Sequence, residues 1–309
     1  MPHRRLFHTH SAYLRSMQMS SASLFAFVEG KDIDRFFYGH ICYNVCNPQG
    51  LIYETCKADE LPPFAGGKST LLEFYNYLRL RHCLVSHFGG KKTTAVFFLD
   101  KDIDDLKHIR KRSKHVIYTR YYDVQNEVFH NGNLKRGAAS AASLDERVLD
   151  PLIISSNNWC SHASRRWHDW LVLCIISSLN GIRCQYNFGS LSQIQCPTTR
   201  LSEPTRLDQA KMTLATLLGL NAIDFQILYD IISLRVKRYF RSGQHNIIFK
   251  GKWYPYLLEE DIINLVGRNN YTHNGFSNRV SSSVASTLDF EQAWVDYYTT
   301  RLQAAIIKN

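Results

Sequence analysis

The 309-residue chain has no apolar run near the ~20 residues that a transmembrane helix needs, so no membrane span is expected. It has no internal repeat, which argues against a solenoid or propeller. Its eight cysteines lie at 42, 46, 56, 83, 160, 174, 184 and 196, too scattered for a disulfide framework, and buried thiols in a reducing compartment are expected instead. Cys42 and Cys46 stand close together, but no second Cys or His pair follows at zinc-finger spacing. The basic start (His3, Arg4, Arg5) is not followed by the sustained apolar stretch of a secretory leader, and the expectation is a soluble, cytoplasmic protein. A complete phosphate-binding loop is also missing. Gly66-Gly67-Lys68-Ser69-Thr70 resembles the end of one, but Pro62 stands where the first glycine belongs, and a glycine turn capped by Ser69 or Thr70 is expected. Lys68 remains a candidate contact for a nucleic-acid phosphate.

Acidic residues are in deficit: 27 against 37 Lys and Arg, a formal charge of +10 and a pI near 9.2. This balance favours a polyanionic partner, nucleic acid first among them, without identifying it. The few acids are placed unevenly. An apolar run, LFAFV, ends on Glu29, and a second, TAVFFL, ends on Asp100 and continues Lys101-Asp102-Ile103-Asp104-Asp105. Both runs read as buried strands followed by helices. In an open α/β sheet, groups beyond the carboxyl ends of neighbouring parallel strands converge on one crevice. Glu29, Asp100 and Asp102 would then share a small volume, a like-charge cluster that a divalent cation relieves. If the backbone stays extended, carboxylates at i and i+2 point to the same side, which adds Asp102 to Asp100; Asp104 extends the series. An EF-hand loop is disfavoured because its glycine and distal glutamate are missing at their spacings. The expected ion is Mg²⁺ (or Mn²⁺) on carboxylate oxygens with phosphate completing the shell.

Strands are expected at 23–28, 41–46, 51–55, 94–99 and 116–118, with helices over 32–38 and after 68, the alternation of an α/β layer. Residues 131–145 are small and polar and read as a linker or mobile loop. Beyond them the signals are mainly helical: around 167–175 with Gly181 as a stop, 210–218, 223–239, and a long final helix over 284–307. Residues 186–205, with Pro197 and Pro204, read as loop, and HNIIF as a short strand before Gly251-Lys252. The expected division is a domain over 1–130 and a mainly helical one over 145–309 that serves dimerisation or partner binding. A basic run, Lys107, His108, Arg110, Lys111, Arg112 and Lys114, lies between the two last strands, and Arg110, Lys111, Arg112 and Lys114 would grip a nucleic-acid backbone with little sequence preference. Lys31 and Lys101, beside the acidic groups, and Lys252 are candidates to stabilise charge on a transferring phosphoryl group, Lys252 as a catalytic residue with Glu29, Asp100 and Asp102.

FVEGKDIDRFF followed by FFLDKDIDD resembles the Toprim domain of topoisomerases, primases and OLD-type nucleases, in which a Glu follows the first strand and Asp-x-Asp the third. With the later stretch Tyr122-Asp123-Val124-Gln125-Asn126, the chain is similar over about residues 23–130 to Toprim-like proteins of bacterial defence loci. That family includes the effector nuclease of the PARIS anti-phage system. The resemblance implies a Toprim-like, mostly parallel sheet flanked by helices, with a mainly helical C-terminal region. It implies an Mg²⁺-dependent endonuclease, a toxin-like effector held inactive by an ABC-type ATPase partner and active as a homodimer on tRNA or DNA. Glu29 takes the place of the Toprim glutamate, and Asp100 and Asp102 that of the metal pair. Gln125 falls where the family has a carboxylate, and Glu127 would substitute by a shifted register. Lys252 resembles the lysine of the family's Gly-Lys element, close to substrate. A non-catalytic regulatory or nucleic-acid-binding subunit is the alternative, for which Gln125 speaks most directly; a polymerising or topoisomerase-like enzyme finds less in the residues.

Overall fold

A computed structural model describes residues 9–30, 33–184, 186–189, 191–195 and 203–307. His3, Arg4, Arg5, Lys31, Asp32, Cys196 and Pro197 lie outside the described residues. In chain order the elements are α1 (His10–Met19), β1 (Leu24–Val28), α2 (Ile33–Cys46), β2 (Tyr53–Lys57), α3 (Gly67–Leu80), β3 (Val85–Phe88), β4 (Lys91–Leu99), α4 (Asp104–Lys107), β5 (Val116–Tyr118), α5 (Val124–Asn131), α6 (Leu134–Ala142), α7 (Ser156–Arg166), α8 (His168–Leu179), α9 (Pro204–Leu218), α10 (Ala222–Arg241), α11 (Tyr254–Val266), α12 (Phe276–Ala285) and α13 (Asp296–Ile307). The fold class is α/β as expected: a mostly parallel five-stranded sheet flanked by helices, with a helical C-terminal region. Among the described residues, no single helix is long and apolar enough to cross a membrane.

Contacts within the chain gather into two compact units that do not follow the expected 1–130 and 145–309 division. The first comprises residues 1–101, 110–120 and 289–309, the second 102–109 and 121–288. The C-terminal segment belongs to the first unit because α13 packs on α2 and β4. Tyr298 of α13 is wholly buried there and its hydroxyl accepts the Arg120 N–H at 3.1 Å.

In the first unit β1 is central, parallel to β2 on one side and to β4 on the other. The amino-terminal half of β4 pairs antiparallel with β3, and its last three residues pair parallel with β5. Every residue of β1 is buried because both faces are covered. Phe25, Phe27, Phe97 and Leu99 meet Tyr13 and Met17 of α1 and Phe74 and Leu78 of α3. On the opposite face Tyr38 of α2 stacks on Phe98 with centroids 4.2 Å apart.

Several local expectations change. The strand expected at 41–46 is the second half of α2, where Ile41, Cys42, Val45 and Cys46 are buried at helical spacing; apolar runs this short carry no decisive period of their own. The strand at 51–55 lies slightly later, as β2, and runs parallel to β1. Lys91 to Thr94 extend β4 backwards into a hairpin with β3 through Gly89 and Gly90, both at positive φ, a turn not anticipated. Residues 10–19 form a full helix, α1, capped by Thr9. Neither Ser69 nor Thr70 caps α3: Gly66 is its N-cap, and Gly66 and Gly67 both have φ +76°, which glycine adopts without strain. HNIIF forms 3₁₀ turns rather than a strand, and Pro204 opens α9.

The largest correction falls on 131–145. This segment contains α6, capped by the Asn133 side chain and buried through Leu134, Gly137, Ala138, Ala139, Ala141 and Ala142. Small residues here allow close approach, not flexibility: a Cβ on Gly137 would lie 2.5 Å from Val284 Cγ2 of α12. The long helix expected over 284–307 is correspondingly two, α12 and α13, which serve different units. Elsewhere in the second unit α8 is buried almost all round. Asp261 of α11 fixes α7, accepting Trp159 Nε1–H at 2.8 Å and both Arg166 guanidinium nitrogens at 2.6 and 2.8 Å.

Gly137→Ala should therefore destabilise the protein, despite alanine's better helix propensity, by about 1–3 kcal/mol as expected for overpacking. Urea unfolding measures it; a variant as stable as the parent would mean that α6 and α12 are not in close contact.

Candidate functional sites

Within the first unit Glu29 follows β1 and Asp100 follows β4. The register pairs Val28 with Phe98, so the two chain ends emerge side by side. Glu29 Oε1 accepts the Asp100 backbone N–H at 2.8 Å. The loop after β4 is held on the other side by β5: Thr119 N–H donates to Leu99 O at 2.9 Å and Lys101 N–H to Thr119 Oγ1 at 2.8 Å. Gly30 and Asp34 complete the turn after β1. Asp34, buried in the first turn of α2, accepts the Gly30 N–H at 2.7 Å, and a Cβ at Gly30 would lie 2.7–2.9 Å from that carboxylate. Glu29 and Asp100 are thus brought together by the strand pairing inferred for them.

The premise that placed Asp102 beside Asp100 does not hold, because β4 ends at Leu99 and the backbone is not extended afterwards. Asp102 has φ +50°, a left-handed conformation tolerated by Asp better than by most side chains. It opens a segment of the second unit, where its N–H donates to Tyr122 O at 2.7 Å. Asp104 is buried in the single-turn α4 of that unit. Glu127 is wholly buried in α5, and its carboxylate accepts the Tyr121 N–H and the Asn131 Nδ2–H at 3.2 Å each. These hydrogen bonds tie it to its own helix surroundings. Among the described residues no group of three or more His, Cys, Asp or Glu side chains is gathered so as to hold a metal ion.

The lysines separate similarly. Lys101 is buried, and its ammonium donates to Arg120 O, which ties it to the loop after β4. Arg110, Lys111, Arg112 and Lys114 lie on an exposed, irregular stretch before β5. Tyr118 collects part of this charge: the Arg110 guanidinium lies 4.7 Å and the Lys68 ammonium 5.8 Å from its ring centroid, while its hydroxyl accepts the Lys111 N–H at 3.0 Å. Lys68 and the basic run, read separately in the sequence, thus belong to one edge of the first unit.

The second unit holds a constellation that sequence reasoning found only in part. Asp123 caps α5, its Oδ1 accepting the Asn126 N–H at 3.0 Å in a reciprocal capping box. Gly251 and Lys252 close on that cap from 125 residues further on, Gly251 N–H donating to Asn126 Oδ1 at 3.1 Å and Lys252 N–H to Asp123 Oδ2 at 3.3 Å. Only glycine fits, since a Cβ at 251 would lie 2.3 Å from Asp123 Oδ1. Burial holds the Asp123 carboxyl above the usual carboxylate range; Lys252 opposes that shift and Asp102 adds to it. Burial lowers the Lys250 pKa, with Asp123 acting against it. A cavity of about 610 Å³ adjoins these groups, lined among others by Gln125, Lys250, Lys252, Trp253 and Tyr256. Asp123 was legible as a cap, an Asp three residues before Asn at the start of a helix. Nothing local links it to Lys250 or Lys252.

No family model matches this chain, and no curated protein matches it in sequence.

His245, in the 3₁₀ turn after α10, is wholly buried with neither ring nitrogen partnered among the described residues. Burial, then His130 and Arg165, lowers its pKa from 6.5 to about 4. The unfolded chain therefore takes up this proton first, and stability should fall as pH drops from about 6.5 towards 4, by about 3 kcal/mol for such a shift. Asp123, shifted upward, has the opposite sign over part of this range. The measurement is accordingly the difference in urea midpoints between wild type and His245→Phe from pH 7 to 4.5; a constant difference would sink the assignment.

Proposed function

We propose that this chain is a metal-dependent hydrolase of nucleic-acid phosphodiesters. The observation that carries the reading is the junction of Glu29 and Asp100 at the carboxyl ends of adjacent parallel strands, bonded through Glu29 Oε1 and the Asp100 N–H. Mg²⁺ is commonly held by one or two carboxylates and completes its octahedron with water and phosphate oxygens, so this pair suits it in number and chemistry. Bound there, the ion supplies a Lewis acid for a phosphoryl oxygen and a more acidic water. The protein's part is to hold two carboxylates of like charge on fixed strand ends, a repulsion that the cation offsets. Lys68, Arg110, Lys111, Arg112 and Lys114 bind the phosphate backbone, an interaction that weakens as salt is raised.

The sequence motifs support a narrower form of the same proposal. In it the chain is a cytoplasmic Toprim-like effector of anti-phage defence, cleaving tRNA or DNA, restrained by an ABC-type ATPase and active as a homodimer. One second reading has observations of its own. Gln125 in place of a carboxylate, Glu127 engaged within α5 and the burial of Lys101 favour a nucleic-acid-binding subunit without cleavage.

Incubating the purified protein with labelled tRNA and DNA, with and without Mg²⁺, tests the two readings against each other. Cleavage that requires the ion and falls at least ~100-fold in Asp100→Asn and Glu29→Gln is the expected outcome, with thermal melts confirming that both variants fold. Salt-sensitive binding without cleavage would establish the second reading. Mg²⁺-dependent cleavage undiminished in both variants would remove the site.

A further inference from the structure

The second unit holds a cavity whose lining is chemically mixed. Its volume of about 610 Å³ falls within the ~300–1,000 Å³ of small-molecule sites. Two cations reach it, Lys250 and Lys252. Lys250 is held by donating to Phe188 O at 2.8 Å and sits 6.0 Å from the Trp253 ring centroid. Lys252 is exposed, and its backbone is fixed on Asp123. Part of the lining is aromatic: Phe188 and Trp253 stack at 6.0 Å and 21°, and Tyr256, also in the lining, is 52% exposed. The remaining lining mixes amides and hydroxyls with Leu191, Pro255 and one carboxylate, Glu260, whose Oε1 accepts from Gln195 Nε2.

Gln125 supplies the independent observation. Its Oε1 is buried at the cavity wall and has no hydrogen-bond partner among the described residues. That oxygen has no accessible surface in its present orientation; leaving it unpaired costs about 1–3 kcal/mol, which is recovered when the side-chain amide turns into the cavity to meet a ligand donor. A carboxamide presents both an acceptor and donors, the complement of a nucleobase edge, whereas a carboxylate at the same place would only accept and would repel an anion. A neutral planar group read by an amide, stacked on an aromatic ring and joined to an anion that faces lysines describes a nucleotide.

We propose that this cavity is a nucleotide subsite, in which Gln125 reads the edge of one unstacked base, Tyr256 stacks on it, and Lys250 and Lys252 hold its phosphate. The proposal deepens the reading of the chain as acting on nucleic acid and rests on it only for the polymer from which the base comes. A free mononucleotide offers the same chemistry.

The test is ligand-observed saturation-transfer NMR on the full chain, with 5′-AMP, GMP, CMP and UMP as probes and orthophosphate and adenosine as partial ligands. At least one mononucleotide should bind, at least ~10-fold more tightly than either partial ligand, and should lose ~10-fold in affinity in Tyr256→Ala and again in Gln125→Glu. Tyr256 is half exposed, so its removal leaves the fold intact, which a thermal melt checks. A single-stranded hexanucleotide binding more tightly than the mononucleotide assigns the subsite to a strand; equal affinity assigns it to the free nucleotide. No saturation transfer at about 10 mM, displacement by orthophosphate as effective as by nucleotide, or affinity unchanged in both variants would each overturn the proposal. Binding retained in Glu29→Gln alongside a chain that cleaves nothing would leave the subsite standing and remove the hydrolase.

Discussion

A single hydrogen bond, from the main chain of Asp100 to the side chain of Glu29, expresses the constraint on which the first unit turns. Two parallel strands whose residues are buried on both faces must end together, and whatever follows them must share what lies beyond. The acid after β1 accordingly meets the chain after β4 instead of water alone. Its cost is a concentration of negative charge at one sheet end. Part of this is answered locally by the N–H of Asp100, which donates to Glu29 Oε1. Phe27 stacked on Phe97, at 4.9 Å, shows the apolar side of the same constraint, for the rings that set the register also exclude water behind the acids.

Much of this was readable from residues. Uninterrupted apolar runs such as LFAFV have one common explanation, a strand covered on both faces, and an acid after each of two such runs is a local pattern. What escaped the reading depends on tertiary placement. The end of α2 carries the same cysteines and β-branched residues as a short strand, and only packing decides for the helix. The small residues of α6 resemble a linker until Val284 is set against Gly137. Asp102 sits in the expected motif, yet its positive φ removes the extended geometry on which its pairing was argued. The site in the second unit was least legible, because the Gly251 N–H meets Asn126 Oδ1 across 125 residues and the Lys252 N–H meets Asp123 Oδ2 across 129, and no spacing rule foreshadows that meeting.

The junction at Asp123 repays comparison with that at Glu29. In each, an acid just before or after a regular element accepts main-chain N–H groups from a distant or neighbouring segment. Each also needs a glycine, because the carboxylate occupies the volume a side chain would take. Gly30 against Asp34 and Gly251 against Asp123 are therefore points where backbone and carboxylate are fitted within contact distance, and substitutions there would act on geometry before they acted on charge. Lys252 inherits its placement from this fit, and Lys250 is anchored separately through Phe188 O.

The allocation of α13 has a bearing on biosynthesis. The sheet-bearing unit is assembled from three stretches of chain, the last contributed by residues 289–309, with Tyr298 sealed in its interior. A ribosome that has translated the whole sheet has still not made the helix that closes one face of it. Until some 170 further residues are made, Phe37 and Tyr38 lack the Tyr298 ring that packs against both. Order of synthesis thus puts the closing of that face after the sheet and after the whole of the second unit.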